Sequence, residues 1–138
     1  MSNFDNKLNS IANSTNLFLK RFFLKQEMHS ELMKSMKYGI FSGGKRFRSA
    51  IVVNTGKIYE LDYKKLIIIG SAIECIHSYS LIHDDLPSMD NDDLRRGKAS
   101  MHKKFNEFTA ILAGNSLLTL AFEILAGKNL KISENKKN

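Results

Sequence analysis

Three carboxylates, Asp84, Asp85 and Asp90, fall within seven residues, interleaved with Leu86, Pro87, Ser88 and Met89. Acidic side chains this close repel one another unless cations lie between them, and an oxygen-only donor set suits a hard ion such as Mg2+. Magnesium keeps several waters and divides its remaining positions between protein carboxylates and substrate phosphates, so a diphosphate is the expected companion. An EF-hand calcium site is excluded: counted from Asp90, the sixth loop position is Arg95 rather than Gly and the twelfth is Met101 rather than Glu. A solvated acidic helix end would present the same side chains, so the motif has to be weighed with its neighbours.

Those neighbours are cationic. Arg95 and Arg96 follow the aspartates, and Gly43, Gly44, Lys45, Arg46, Phe47 and Arg48 form a second basic cluster where a helix is expected to start. Arginine forks bind phosphate oxygens bidentately and helix N-termini attract anions, so Lys45, Arg48, Arg95 and Arg96 could hold two phosphorylated groups. As a bare pattern this second cluster is also what a solvated helix cap looks like. His77 precedes Asp84 by seven residues, two helical turns, which puts both on one helix face. It could donate to a phosphate or sit in the core bonded to a backbone group. His83 has no ligand role implied by standing beside Asp84, and Glu74 reads as a buried, hydrogen-bonded carboxylate.

The elements that must position these groups are helical. One proline in 138 residues and apolar positions recurring at three and four predict an all-α chain of about five helices. The first runs from Asn3 to about Gln26 along Phe4, Leu8, Ile11, Leu17, Phe18, Phe22 and Leu24. The second runs from about Glu27 to Phe41, with Met28, Leu32, Met36 and Ile40 in steps of four. A third is expected from about Lys45 to Glu60. The fourth, from about Tyr63 to Leu86, is apolar on nearly every side and so must be surrounded by other helices. A polar segment from Pro87 to about His102 leads to a fifth along Phe105, Phe108, Ile111, Leu112, Leu117, Leu118, Phe122 and Leu125, which Gly127 stops. Residues 1 to 127 thus form one domain, and Lys128 to Asn138 a polar tail that should fray.

The totals are those of an ordinary globular chain, 43% hydrophobic and 25% charged. A net charge of +7 favours a polyanionic partner: nucleic acid, acidic lipid or a phosphorylated small molecule. The single Cys75 has no disulfide partner in the chain, which suits a reducing compartment such as the cytoplasm. No apolar run approaches about 18 uncharged residues and no export signal opens the chain, so no membrane span is expected.

Taken in order, GGKRFRS, ECIHSYSLIHDDLPSMDNDDLRRGK and FNEFTAILAGNSLLTLAFEILAG resemble the trans-isoprenyl diphosphate synthases of the bacterial farnesyl and geranyl diphosphate type, nearly without gaps from about Gly39 to Gly127. The resemblance implies the N-terminal half of an isoprenoid-synthase helical bundle, with its cavity at the centre and a dimer as the working form. It implies that Asp84 and Asp90 bind magnesium with Asp85 supporting them, that Arg95 holds an allylic diphosphate, and that Lys45, Arg48, His77 and Arg96 hold isopentenyl diphosphate. In such a reaction magnesium and arginine neutralise the charge on a departing diphosphate while the allylic C–O bond ionises. The double bond of isopentenyl diphosphate then attacks and a proton is lost. Tyr79, five residues before Asp84, stands where the family places the floor under the growing chain. A bulky ring there resembles the farnesyl-limited pattern, C15 rather than C20.

The chain also departs from the pattern. Family members are about twice as long and carry another DDxxD motif, and none follows Asp93 here. Asn115 stands where the family usually has Asp. Helices that would cover the fourth are missing, which should leave an apolar surface for a partner. The expected working form is therefore a homodimer or a pairing with a second half-chain. Three readings follow: a truncated remnant, half of an enzyme completed by a separately encoded second half, or a basic helical module binding nucleic acid or another protein. The last lacks any recognisable nucleic-acid motif.

Overall fold

The computed structural model describes residues 3 to 25 and 30 to 130. Six α-helices run in the order α1 (Asn3–Leu24), α2 (Glu31–Phe41), α3 (Phe47–Ile58), α4 (Tyr63–Asp84), α5 (Met101–Lys104) and α6 (Glu107–Ala126). Between α4 and α5 lies a two-stranded hairpin, β1 (Leu94–Arg95) and β2 (Lys98–Ala99). Its turn residues Arg96 and Gly97 both have positive φ, 54° and 74°, the backbone that lets a two-residue turn follow the strands' twist.

Helix α4 is the centre of the bundle, packed against α1, α3 and α6. Its buried residues, among them Leu66, Gly70, Cys75, Ser78 and Ile82, lie on more than one side, as its all-round apolar sequence requires. By length and composition α4 and α6 could each cross a membrane, but α4 is a core helix carrying the buried Glu74. Helix α6 buries Ala110, Ala113, Leu117, Ala121 and Ile124 against the bundle, a stripe of small residues and leucine that permits close approach. Its other side leaves Phe108 72% and Phe122 63% exposed. Exposed large apolar side chains thus recur along one side of α6, at Phe108, Ile111, Phe122 and Leu125. Expected on the fourth helix, they are absent there because α1, α3 and α6 already surround it.

Several boundaries differ from expectation for identifiable reasons. Helix α1 buries Ile11, Thr15, Leu19 and Phe23, a strict step of four, and leaves Phe4, Leu17 and Leu24 exposed. The expected start of the second helix at Glu27 and its Met28 lie outside the described residues. The described helix begins after Ser30, whose hydroxyl accepts from the Met33 amide at 3.2 Å. Helix α3 begins at Phe47 rather than Lys45, because Arg46 turns inward with φ 51°. Helix α4 stops at Asp84, and α6 starts after Asn106, whose side chain caps the Thr109 amide at 2.7 Å. Gly127 does end α6, though in an extended conformation. Residues Lys128 to Leu130 make a 3-10 turn against α4, and the rest of the expected tail lies outside the described residues.

Candidate active site

At the C-terminal end of α4 the chain folds back on itself. The Asp90 amide donates to the Asp84 carbonyl at 2.8 Å, while the Met89 and Asn91 amides donate to Leu86 at 2.9 and 3.0 Å. Asp90 is thereby set beside Asp84, and both stay accessible: Asp84 is half-buried and Asp90 exposed. Neither forms an ion pair among the described residues. Asp85 differs. It is 2% exposed, turned into the protein, and receives the Arg95 guanidinium, whose Nε lies 3.0 and 3.2 Å from its two carboxylate oxygens while Nη2 also donates. Arg95 further reaches Asp92 at 3.6 Å. The Asp85 hydrogen bond raises the Arg95 pKa.

The described residues hold no group of three or more His, Cys, Asp or Glu side chains arranged for a metal. A pair of carboxylates nevertheless fits magnesium, which takes one or two carboxylates and fills its octahedron with water and phosphate oxygens. The donor chemistry of Asp84 and Asp90 is of that kind.

The cationic groups converge on a separate cavity. A cavity of about 30 Å3, room for a water or two, is lined by His77, Asp85, Arg95, Arg96 and Arg46 together with Tyr38 and Ser100. Arg96, at the hairpin tip, donates from Nη1 to the Gly43 carbonyl. A Cβ on Gly44 would overlap its guanidinium, and with φ of 109° that position also suits glycine best. The Tyr38 hydroxyl holds the hairpin from behind, donating to the Ala99 carbonyl at 2.7 Å. His77 has its pKa lowered, first by burial and then by Arg48, against a raising effect of Glu74 and lesser lowering effects of Arg96 and Arg46. The two cationic segments, 50 residues apart, therefore act on one imidazole. Lys45 and Arg48 are exposed and do not line the cavity.

His77 and Asp84 share a helix face but open into different spaces. Asp84 faces a cleft of about 470 Å3 with Tyr79, Ser80, His83, Leu86, Met89 and Ile111. The Tyr79 ring meets the His83 ring edge-on, with centroids 4.6 Å apart. His83 Nε2 lies 3.3 Å from the Ile111 carbonyl and so carries the proton when it bonds there. A Cβ on Gly114 would come within 2.7 Å of that nitrogen, so α6 and α4 close up only around a glycine.

Sequence reasoning assigned Arg46 no role beyond the basic cluster, and this was its main omission. Arg46 is 5% exposed. Its Nε donates to Asn16 Oδ1 at 2.8 Å and Nη2 to the Ile40 carbonyl at 2.5 Å, while Nη1 stands 3.8 Å from Glu74 Oε2. Burial lowers its pKa, and Glu74 offsets part of that. A signal existed: Glu74 is a lone acid inside an apolar helix, and a buried carboxylate needs a cation.

With the site described, its relatives can be named. Residues 29 to 136 match the polyprenyl synthetase family. The chain belongs to that family. It is 52% identical over 108 residues to a farnesyl diphosphate synthase of Buchnera aphidicola, covering 78% of this chain and 38% of that protein. Against the farnesyl diphosphate synthase of Haemophilus influenzae it is 45% identical over 138 residues, covering 99% of this chain and 46% of the relative. The crystal structure of a geranyltransferase from Legionella pneumophila superposes with a TM-score of 0.82 at 44% identity, over 86% of this chain and 42% of that one. The fold is accordingly the all-α isoprenoid synthase fold. The chain spans less than half the length of these relatives. Family membership does not favour the basic-module reading.

Proposed function

We propose that this chain supplies the first-aspartate half of a prenyltransferase site, one that condenses isopentenyl diphosphate with dimethylallyl or geranyl diphosphate to give farnesyl diphosphate. The observation that carries this is that Asp90 is set beside Asp84 at the end of α4, next to Asp85, which lines a cavity where Arg95, Arg96 and His77 converge. Bound Mg2+ would neutralise charge on the departing diphosphate. Asp84 and Asp90 are the residues that would hold it. Arg95 faces the allylic diphosphate, and Asp85 acts through Arg95, fixing its fork before substrate arrives. His77, Arg96, Lys45 and Arg48 bind isopentenyl diphosphate, the last two from outside the cavity. Tyr79 closes the cleft beneath Asp84, with His83 and Ile111 beside it, and limits the product to C15 by steric exclusion. The buried Cys75, its thiol pushed up to about 12 by burial, agrees with a reducing, cytoplasmic setting.

The opposite wall, with the second DDxxD motif, has to come from another segment or chain. The exposed α6 face of Phe108, Ile111, Phe122 and Leu125 is where a second subunit or second half would dock. The test is to incubate the chain with Mg2+, isopentenyl diphosphate and geranyl diphosphate, alone and with a polypeptide carrying the second half of a relative, and to look for prenyl products by mass. Farnesyl diphosphate in the mixture is the expected result. No product there, with both halves folded and associated, would sink the proposal.

A further inference from the structure

Lys45 and Arg48 alternate with two buried residues, Arg46 and Ser49. That alternation decides where the cations point: with positions 46 and 49 drawn inward, 45 and 48 must face out. What draws them in is one carboxylate on another helix. Glu74 of α4 accepts from the Ser49 amide at 3.1 Å through Oε1 and faces Arg46 through Oε2. Ser49 is the third residue of α3, and its N–H is one of those a helix start leaves without an intrahelical acceptor. Arg46 stands at the N-cap but contributes no side-chain cap. The helix is capped from outside by Glu74, which also complements its positive end.

The same node gathers every element around the loop. Arg46 ties α1 through Asn16 and the end of α2 through the Ile40 carbonyl, and the Ser49 hydroxyl lies 2.7 Å from that of Thr15, which donates to the Ile11 carbonyl at 2.9 Å. A left-handed backbone on a non-glycine residue persists only where its surroundings over-determine it. These contacts hold Arg46 at φ 51° and so fix the exit of the Gly43–Gly44 turn.

We infer that the buried Arg46–Glu74 pair is a positioning device for diphosphate recognition: it binds no substrate, but orients Lys45 and Arg48 and consumes the anion-binding capacity of the Ser49 amide. This rests on the site reading above. A helix start left open would compete for the diphosphate at the wrong place, and capping it from within confines binding to the cavity and to Lys45 and Arg48.

The test replaces the pair by apolar residues, Arg46→Met with Glu74→Leu, a type of exchange that buried ion pairs often tolerate. Arg46→Lys serves as a milder second variant, keeping the charge but losing the fork that joins Asn16 to Ile40. Each folded variant, confirmed by circular dichroism, is titrated with isopentenyl diphosphate and, separately, with geranyl diphosphate plus Mg2+. The expected result is a loss of about tenfold or more in isopentenyl diphosphate affinity, about 1.4 kcal/mol, with geranyl diphosphate binding changed less than about twofold. General destabilisation would weaken both alike, and that outcome overturns the inference, as does wild-type affinity in either folded variant. A wild-type chain that binds neither ligand overturns the site reading itself, a failure visible before any variant is made.

Discussion

The small cavity below the hairpin and the open cleft beneath Asp84 lie on either side of one helix end and treat charge in opposite ways. At the cavity, the buried carboxylates nearby are already matched: Asp85 with Arg95, and Glu74, behind the lining, with Arg46. At the cleft, Asp84 and the exposed Asp90 beside it form no ion pair among the described residues. Adjacent residues on a helix point about 100° apart, which lets Asp84 and Asp85 face different environments, and the hairpin's Arg95 occupies only the second. One of the two is part of the protein's internal scaffold, and the other stays accessible, as the proposed ligand role requires. The expected number of free carboxylates at the motif is therefore two rather than three.

The largest effect that would sharpen this contrast comes from the cleft. Asp84→Ala combined with Asp90→Ala should cut Mg2+-dependent diphosphate affinity by about a hundredfold, the loss of charged groups that contact the bound ion, with little change in thermal stability. Calorimetric titration and a melting curve read the two quantities. Asp85→Ala should do the reverse in kind. It leaves Arg95 with only the exposed Asp92 and should lower stability by about 2 to 3 kcal/mol, less than a fully buried pair because Arg95 is partly exposed, which lowers the melting temperature by about 10 °C. Equal melting temperatures for the two variants would break the comparison.

Tyr79→Ala should open the floor of the cleft. Preference should move toward the longer allylic diphosphate, farnesyl over geranyl, by about tenfold, with competition binding as the measure. The smallest effect is pH dependence from His77. Its pKa in the free protein is lowered, so the neutral form dominates just below the ordinary histidine value, and folding costs stability as pH falls through that value toward the lowered one. An anion bound beside it favours the charged form. Isopentenyl diphosphate affinity should therefore rise a few-fold as pH falls from about 7.5 to about 6, and this slope should vanish in His77→Gln.

Much of this could be read from the sequence because it is written in local patterns. The all-round apolar run of α4 and the i, i+4 spacing of α2 and α6 are consequences of helical period, and the order of the GGKR, aspartate and arginine motifs carries the family resemblance. What could not be read depends on which side of a residue the rest of the protein lies. Arg46 and Arg48 are chemically alike and two positions apart, yet one is buried on Glu74 and the other is exposed, because only the packed α1, α2 and α4 offer Asn16, the Ile40 carbonyl and Glu74 at once. The division between Asp84 and Asp85 has the same origin in the hairpin, whose positive-φ turn at Arg96 and Gly97 brings Arg95 back onto Asp85. Helix α1 shows a third case: seven apolar residues were expected on its stripe, and tertiary contact buried Ile11 of that set together with Leu19 and Phe23 from outside it.

The most direct measurement is a calorimetric titration of the 138-residue chain with geranyl diphosphate in the presence and absence of Mg2+, repeated on the Asp84→Ala, Asp90→Ala chain. Saturable binding that requires Mg2+ in the wild type and disappears in the substituted chain is the expected result. Binding that is indifferent to Mg2+, or that survives the loss of both aspartates, would contradict the assignment of these residues to a metal and diphosphate site.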